Sequence, residues 1–306
     1  MSPSTRIADH LAGSFTALIT PFRHGAVDEA ALRDLVERQI AGGTAGLVPC
    51  GTTGEAATLA DGEQDRVVAA VVEQTAGRVP VVAGTGSYDT RHAIERTTRA
   101  RALGADAALV VAPYYTKPTQ EGLFAHFATI AGAGDLPLVL YNVPGRTAVN
   151  LLPETVARLA AVPGIVGIKE ASGNLDQASQ IVREAPPGFA VLSGDDSLTL
   201  PIVSVGGRGV VSVVSNLVPA AVARLTAAAL AGDLAGARAV HLDLFDLCRA
   251  MFLDNNPTAV KTAAGLLGLC SPEVRLPLTP MGEASRRRLE AALRSCRFVT
   301  APAVAA

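Results

Sequence analysis

The strongest constraint on this chain is a rhythm. Short runs rich in β-branched or apolar residues recur at 15–20, 46–49, 79–84, 108–113, 137–143, 165–170, 190–194 and 209–214. After the first, they return every ~20–33 residues, the length that one strand and one helix together need. Most are apolar throughout rather than alternating. That is the pattern of strands buried on both faces, as in a parallel sheet covered by helices. The stretches between them carry helix signals. Asp28 can cap a helix whose Leu32, Leu35, Val36 and Ile40 share one face, and Gly42-Gly43 ends it. Asp61 with Gln64 resembles a capping box ahead of Val67, Val68, Val71 and Val72. Residues 90–103 read similarly and stop at Gly104. Eight such units predict an α/β fold, a (β/α)8 TIM barrel over residues 1–218. A doubly wound sheet is the alternative, weakened by the absence of a GxGxxG turn after the first strand. Residues 219–299 are rich in alanine and leucine and predict a C-terminal helical extension packed on the barrel, with 300–306 a loose tail.

The bulk properties narrow the function. At 306 residues and 49% hydrophobic the chain can bury a sizeable core. Net charge is -2 and the pI is near 6.2, with no basic run, which argues against nucleic acid as a partner. The apolar runs are short and broken by Gly, Pro or charge, so no membrane span is expected. Residues 1–10 lack an apolar signal core, and a cytoplasmic location is expected. Cys50, Cys248, Cys270 and Cys296 show no CxxC spacing and no histidine at metal-site spacing, so they read as free thiols. Cys50 abuts a Gly-rich loop and reads as a packing residue rather than a nucleophile.

In barrels of this kind reactive groups gather at the C-terminal ends of the strands, and the unusual residues fall there. Lys169 closes the run Ile165-Val166-Gly167-Ile168-Lys169-Glu170 and is one of three lysines, with Lys117 and Lys261. A guanidinium stays protonated, whereas a partly buried lysine amine can lose its proton and attack a carbonyl to form a Schiff base. The bland alternative is a lysine that snorkels or pairs with Glu170. The loop Gly51-Thr52-Thr53-Gly54-Glu55 offers hydroxyls and backbone N–H groups suited to a carboxylate. Tyr114, Tyr115 and Tyr141 all lie at strand ends; a tyrosine hydroxyl can shuttle a proton, and Thr53 can link two of them in a relay. Arg146 follows a Pro-Gly turn, where a forked guanidinium can grip an acidic substrate or simply make a surface ion pair. Asp195-Asp196 is a possible metal pair, but helix capping is the favoured reading because no further ligand lies nearby. Val211 and Ser212 end the eighth run.

These residues carry a resemblance. "GTTGE" at 51–55, "PYY" at 113–115, "YNVPGRT" at 141–147, "IKEASGN" at 168–174 and "LSGDD" at 192–196 together resemble the dihydrodipicolinate synthase family. That family belongs to the pyruvate-dependent class I aldolases, and the similarity runs over nearly the whole chain. The resemblance implies that Lys169 forms a Schiff base with pyruvate. It implies that Tyr141 donates and accepts protons, with Thr53 and Tyr115 completing its relay beside Thr52. Tyr115 would reach the site of a neighbouring subunit, in a homotetramer built as a dimer of dimers. Thr52, Thr53 and the backbone at Val211 would hold pyruvate. Arg146 would bind the carboxylate of aspartate 4-semialdehyde. Lysine takes the place of an electron-sink cofactor, so neither cofactor nor metal is implied. At the positions where lysine inhibits feedback-sensitive members, this chain has Ala56, Asp61, Gln64, Tyr88, His92 and Tyr114, and weak or absent inhibition is expected. Two other readings remain: another pyruvate-dependent aldolase or hydratase on the same barrel, acting on a sugar acid or aromatic aldehyde, and a catalytically silent metabolite sensor.

Overall fold

The run 165–170 shows how the sheet is built: all six residues of its strand are buried, three towards the barrel axis and three towards the helices. In the computed structural model, which describes residues 7 and 10–299, eight such strands form one parallel sheet. They are β1 (Gly13–Ala17), β2 (Gly46–Val48), β3 (Val82–Gly84), β4 (Ala107–Val111), β5 (Leu138–Asn142), β6 (Ile165–Glu170), β7 (Ala190–Ser193) and β8 (Gly209–Ser212). Their order is β2-β1-β8-β7-β6-β5-β4-β3, and a parallel bridge between Leu47 and Val81 joins the two ends. The sheet is thus a closed barrel, which removes any open edge. A doubly wound sheet is excluded by that closure.

Some strands are shorter than their apolar runs. Val79 and Pro80 precede β3 because Pro80 has no N–H to give a neighbouring strand. Leu18, Ile19 and Thr20 leave the barrel after β1 and are buried in the layer outside it. A two-residue ribbon, Phe22–Arg23 against Ala26–Val27, follows.

The helices that cover the barrel are α1 (Glu29–Ala41), α2 (Asp61–Thr75), α3 (Thr90–Ala102), α4 (Gln120–Gly134), α5 (Pro153–Ala160), α6 (Leu175–Glu184), α7 (Thr199–Ser204) and α8 (Pro219–Leu230). Asp28 caps α1 as expected, accepting from the amide of Ala31 at 3.1 Å. The start of α2 differs from its expectation. Ala60 is the capping position and the Glu63 carboxylate reaches back to its amide at 3.0 Å, while Asp61 lies inside the first turn. The physical reason is that Asp61 is spent elsewhere, on Arg96, Arg99 and His92 of α3.

The helix α8 packs on β1 and β8, and α9 (Leu234–Ala250), α10 (Thr258–Leu266) and α11 (Glu283–Ser295) follow it beside the barrel. The segment 300–306, expected to be a loose tail, lies outside the described residues. No helix among them is long and apolar enough to cross a membrane.

The barrel interior is filled by inward residues of its own strands, among them Phe15, Val48, Leu109, Val139, Leu192 and Val211. Phe15 is the largest of these, and it sets a requirement on β2. A Cβ at position 46 would stand 2.2 Å from the Phe15 ring, so only glycine fits there. The interior packing fills the lower barrel and leaves the C-terminal end for chemistry.

Candidate active site

Parallel pairing decides which side chains meet. Tyr141 on β5 is the register partner of Lys169 on β6, and Lys169 is the partner of Leu192 on β7. Register partners in adjacent strands project to the same face, so Tyr141 and Lys169 both point inward. The Lys169 Nζ stands 4.2 Å from the Tyr141 ring centroid, and Lys169 is 5% exposed. Its sequence neighbour Glu170 points the other way. That carboxylate accepts from Asn142 Nδ2 at 3.0 Å, Gln177 Nε2 at 3.3 Å and the Ser172 amide at 2.6 Å. The snorkelling and Glu170-paired readings of Lys169 both fail on this geometry. Room for the lysine chain comes from the residue after β7: a Cβ on Gly194 would lie 3.1 Å from Lys169 Cε and 2.5 Å from the Ala171 Cβ.

A cavity of about 260 Å³ opens above these strands, and its walls include Thr52, Glu55, Tyr114, Tyr141, Arg146 and Asn256. Lys169 is not one of its walls, but its amine lies against the ring of Tyr141, which is. Arg146 sits on the single helical turn Pro144–Thr147 after β5 and is exposed. Proline at the start of that turn costs nothing, because its missing N–H is one the first turn leaves unused. Val211 is buried on β8 as the register partner of Phe15.

The loop after β2 is wound tightly on itself: the amides of Gly54 and Ala56 donate to Gly51 and that of Glu55 donates to Thr52. Thr52 is left half-buried at the cavity, and Thr53 is buried with its Oγ1 accepting from Asn256 Nδ2 at 3.0 Å. Glu55 has left-handed backbone at φ 54, and its carboxylate is buried. It accepts from Lys261 Nζ at 2.6 Å and from the amide of Arg275 at 3.1 Å. Lys261 is itself fully buried, donating also to the Thr20 carbonyl at 2.9 Å and lying 4.0 Å from the Phe22 ring centroid. Burial pulls the Lys261 amine below its ordinary value, with the Glu55 carboxylate opposing.

Cys50 lies in this wall at 2% exposure, and burial pushes its thiol up to about 12, which bars a thiolate nucleophile. The Asp195-Asp196 pair is used for capping. Asp195 accepts from the Ser197 amide at 3.0 Å, and Asp196 accepts from the amides of Val213 and Val214 at 2.9 and 3.0 Å. Burial pushes the Asp196 carboxyl up, against those amides and the Ser212 hydroxyl.

Tyr115 stands apart. It is 90% exposed, has φ 70, and takes no part in the cavity, whereas Tyr114 does and meets Tyr88 edge-on at 5.4 Å. A single chain therefore gathers Lys169, Tyr141, Thr52, Thr53 and Arg146 at one barrel end, and leaves Tyr115 projecting from it. Asn256, Lys261 and Gly194 were not singled out from the sequence. Rarity marks Lys261, one of three lysines, but no local pattern links it to Glu55.

Comparison with known proteins identifies the family and matches the fold. A family model described as the dihydrodipicolinate synthetase family matches residues 10–296. A 4-hydroxy-tetrahydrodipicolinate synthase of Thermomicrobium roseum is 59% identical over 286 residues, covering 94% of this chain and 95% of its own. Among solved structures, a chloride-inhibited dihydrodipicolinate synthase of Acinetobacter baumannii complexed with pyruvate is 43% identical, with a TM-score of 0.93 over 94% of this chain and 100% of its own. A structure described as the first monomeric dihydrodipicolinate synthase variant is 40% identical, with a TM-score of 0.93 over 95% of this chain and 98% of its own.

Proposed function

The chain belongs to the dihydrodipicolinate synthetase family, and we propose that it condenses pyruvate with aspartate 4-semialdehyde to 4-hydroxy-tetrahydrodipicolinate, with Lys169 as the Schiff-base residue. The observation that carries this reading is Lys169 Nζ, buried beside the Tyr141 ring with its neighbouring carboxylate turned away. The neutral amine adds to the ketone carbon of pyruvate. Tyr141 moves the protons that let the carbinolamine lose water to an imine. Loss of a methyl proton gives an enamine, whose carbon attacks the aldehyde. The amine of the second substrate then displaces Lys169 as the ring closes. Thr53 relays protons with Tyr141. Thr52, Thr53 and the backbone at Val211 hold the pyruvate carboxylate, and Arg146 holds that of the semialdehyde.

The exposure of Tyr115 supports assembly with further copies of the chain, in which Tyr115 enters a neighbour's site. A homotetramer of paired dimers is the proposed form. A cytoplasmic setting goes with this reading, since both substrates are small soluble metabolites.

The test is a coupled assay with the two substrates, together with borohydride trapping by pyruvate. Wild-type protein is expected to gain the mass of a reduced pyruvate adduct on Lys169, and Lys169→Arg to gain none. Turnover of other aldehydes but not the semialdehyde would move the assignment to another aldolase; no adduct at all would favour a sensor.

A further inference from the structure

We infer that Asn256 is a positioning residue for this reaction, one that sets the direction in which the Thr53 hydroxyl gives its proton. The inference rests on the relay proposed for Thr53 and Tyr141. Asn256 precedes α10, is 7% exposed, lines the cavity, and lies 203 residues from Thr53 in sequence. An amide nitrogen only donates. Its bond to Thr53 Oγ1 therefore makes that oxygen the acceptor, and the hydroxyl's own proton must go elsewhere. In the proposed relay that proton would go to Tyr141, whose oxygen would then accept and turn its phenolic proton to the reacting centre; among the described residues the Thr53 hydroxyl is bonded to Asn256. The chain of donors then runs one way, from Asn256 through Thr53 and Tyr141 to the substrate.

The other end of the same amide supports a site role. Asn256 Oδ1 is buried with no hydrogen-bond partner among the described residues. An unpaired buried acceptor is costly, and such groups concentrate where function retains them. In the orientation present, Nδ2 faces Thr53 and Oδ1 faces away from it.

The test is a double-mutant cycle with a pH profile, run alongside borohydride trapping. Asn256→Asp replaces the donor with a carboxylate that takes the Thr53 proton and reverses the chain. We expect kcat to fall about 10–100-fold near neutral pH, with the KM for pyruvate changed less than about 3-fold. The deficit should shrink as the pH falls and the new carboxyl regains a proton to donate. In a Thr53→Val background, Asn256→Ala should cost less than about 2-fold more, because its partner is already gone. The cycle decides alone if the carboxylate variant fails to fold. Absence of a trapped adduct in wild-type protein would overturn the functional reading and this inference with it. A trapped adduct with fully multiplicative losses, or a pH-independent deficit, overturns the inference alone.

Discussion

Lys169 and Tyr141 are register partners on adjacent parallel strands, and the amine of one lies 4.2 Å from the ring centroid of the other. Their approach is set by backbone pairing rather than by loops, so it is stiff. The lysine chain is also confined from the far side by the turn after β7, where Gly194 leaves it space. Gly194→Ala would put a Cβ 2.5 Å from Ala171 Cβ and 3.1 Å from Lys169 Cε, and one of them must move. A displacement of about 1 Å at a reacting group costs on the order of 100-fold in rate. We expect kcat and the rate of pyruvate trapping to fall together by about that factor. Activity within about 2-fold of wild type would show that the lysine tolerates the shift.

Arg146 offers its guanidinium at the cavity wall from an exposed turn. A charge-assisted hydrogen bond is worth about 1.5–3 kcal/mol. Arg146→Ala should raise the KM for aspartate semialdehyde about 10–100-fold and leave trapping by pyruvate alone unchanged. An unaltered KM would remove Arg146 from the substrate site.

The Lys261–Glu55 pair is buried on both sides at 2.6 Å. Removing one partner of such a pair leaves an uncompensated charge, at a cost of about 3–5 kcal/mol. Lys261→Met should lower the urea midpoint accordingly, and adding Glu55→Gln should recover part of the loss. A midpoint unchanged in the single variant would mean that water or another group reaches Glu55.

His126 is 6% exposed, and burial pulls its imidazole down from 6.5 to about 4. A base with a depressed folded pKa binds fewer protons folded than unfolded between those values. Stability is therefore fully present above about pH 6.5 and is lost as the pH falls towards about 4, by roughly 2–3 kcal/mol. Denaturant titrations at pH 7 and 5 should show the loss in wild-type protein and a smaller one in His126→Gln. Equal losses in both would assign the acid sensitivity to other groups.

The Asp61 carboxylate accepts from Arg96 at 3.0 Å and His92 at 3.2 Å, and Arg99 stands 3.2 Å away. Burial pushes that carboxyl up, but the bonds from Arg96 and His92 outweigh it and hold it low. A free lysine entering here meets two guanidinium groups instead of an unclaimed acid. Half-inhibition by lysine is expected only above about 1 mM, and a midpoint well below that would show the ammonium has another host.

The barrel was legible because buried parallel strands leave continuous apolar runs, and Lys169 stood out within one of them. Asp28 capped α1 as expected because a cap is a local event, three residues long. Asp61 misled because its carboxylate answers to α3, about 35 positions away. The gripping of the 51–55 loop by Asn256 and Lys261 left no sequence trace for the same reason, since those contacts span 203 and 206 residues. Periodicity reports what a segment buries, and not which distant side chain comes to meet it.

Those two long contacts also order events during synthesis. The strands bearing Tyr141 and Lys169 leave the ribosome well before residues 256 and 261, which hold Thr53 and Glu55. A nascent barrel thus carries the proposed Schiff-base lysine while the loop proposed to hold substrate is still without its contacts to residues 256 and 261. On the proposed reading, competence would arrive only as the last sixth of the polypeptide docks, and an interrupted translation product would hold the lysine without the loop's anchors.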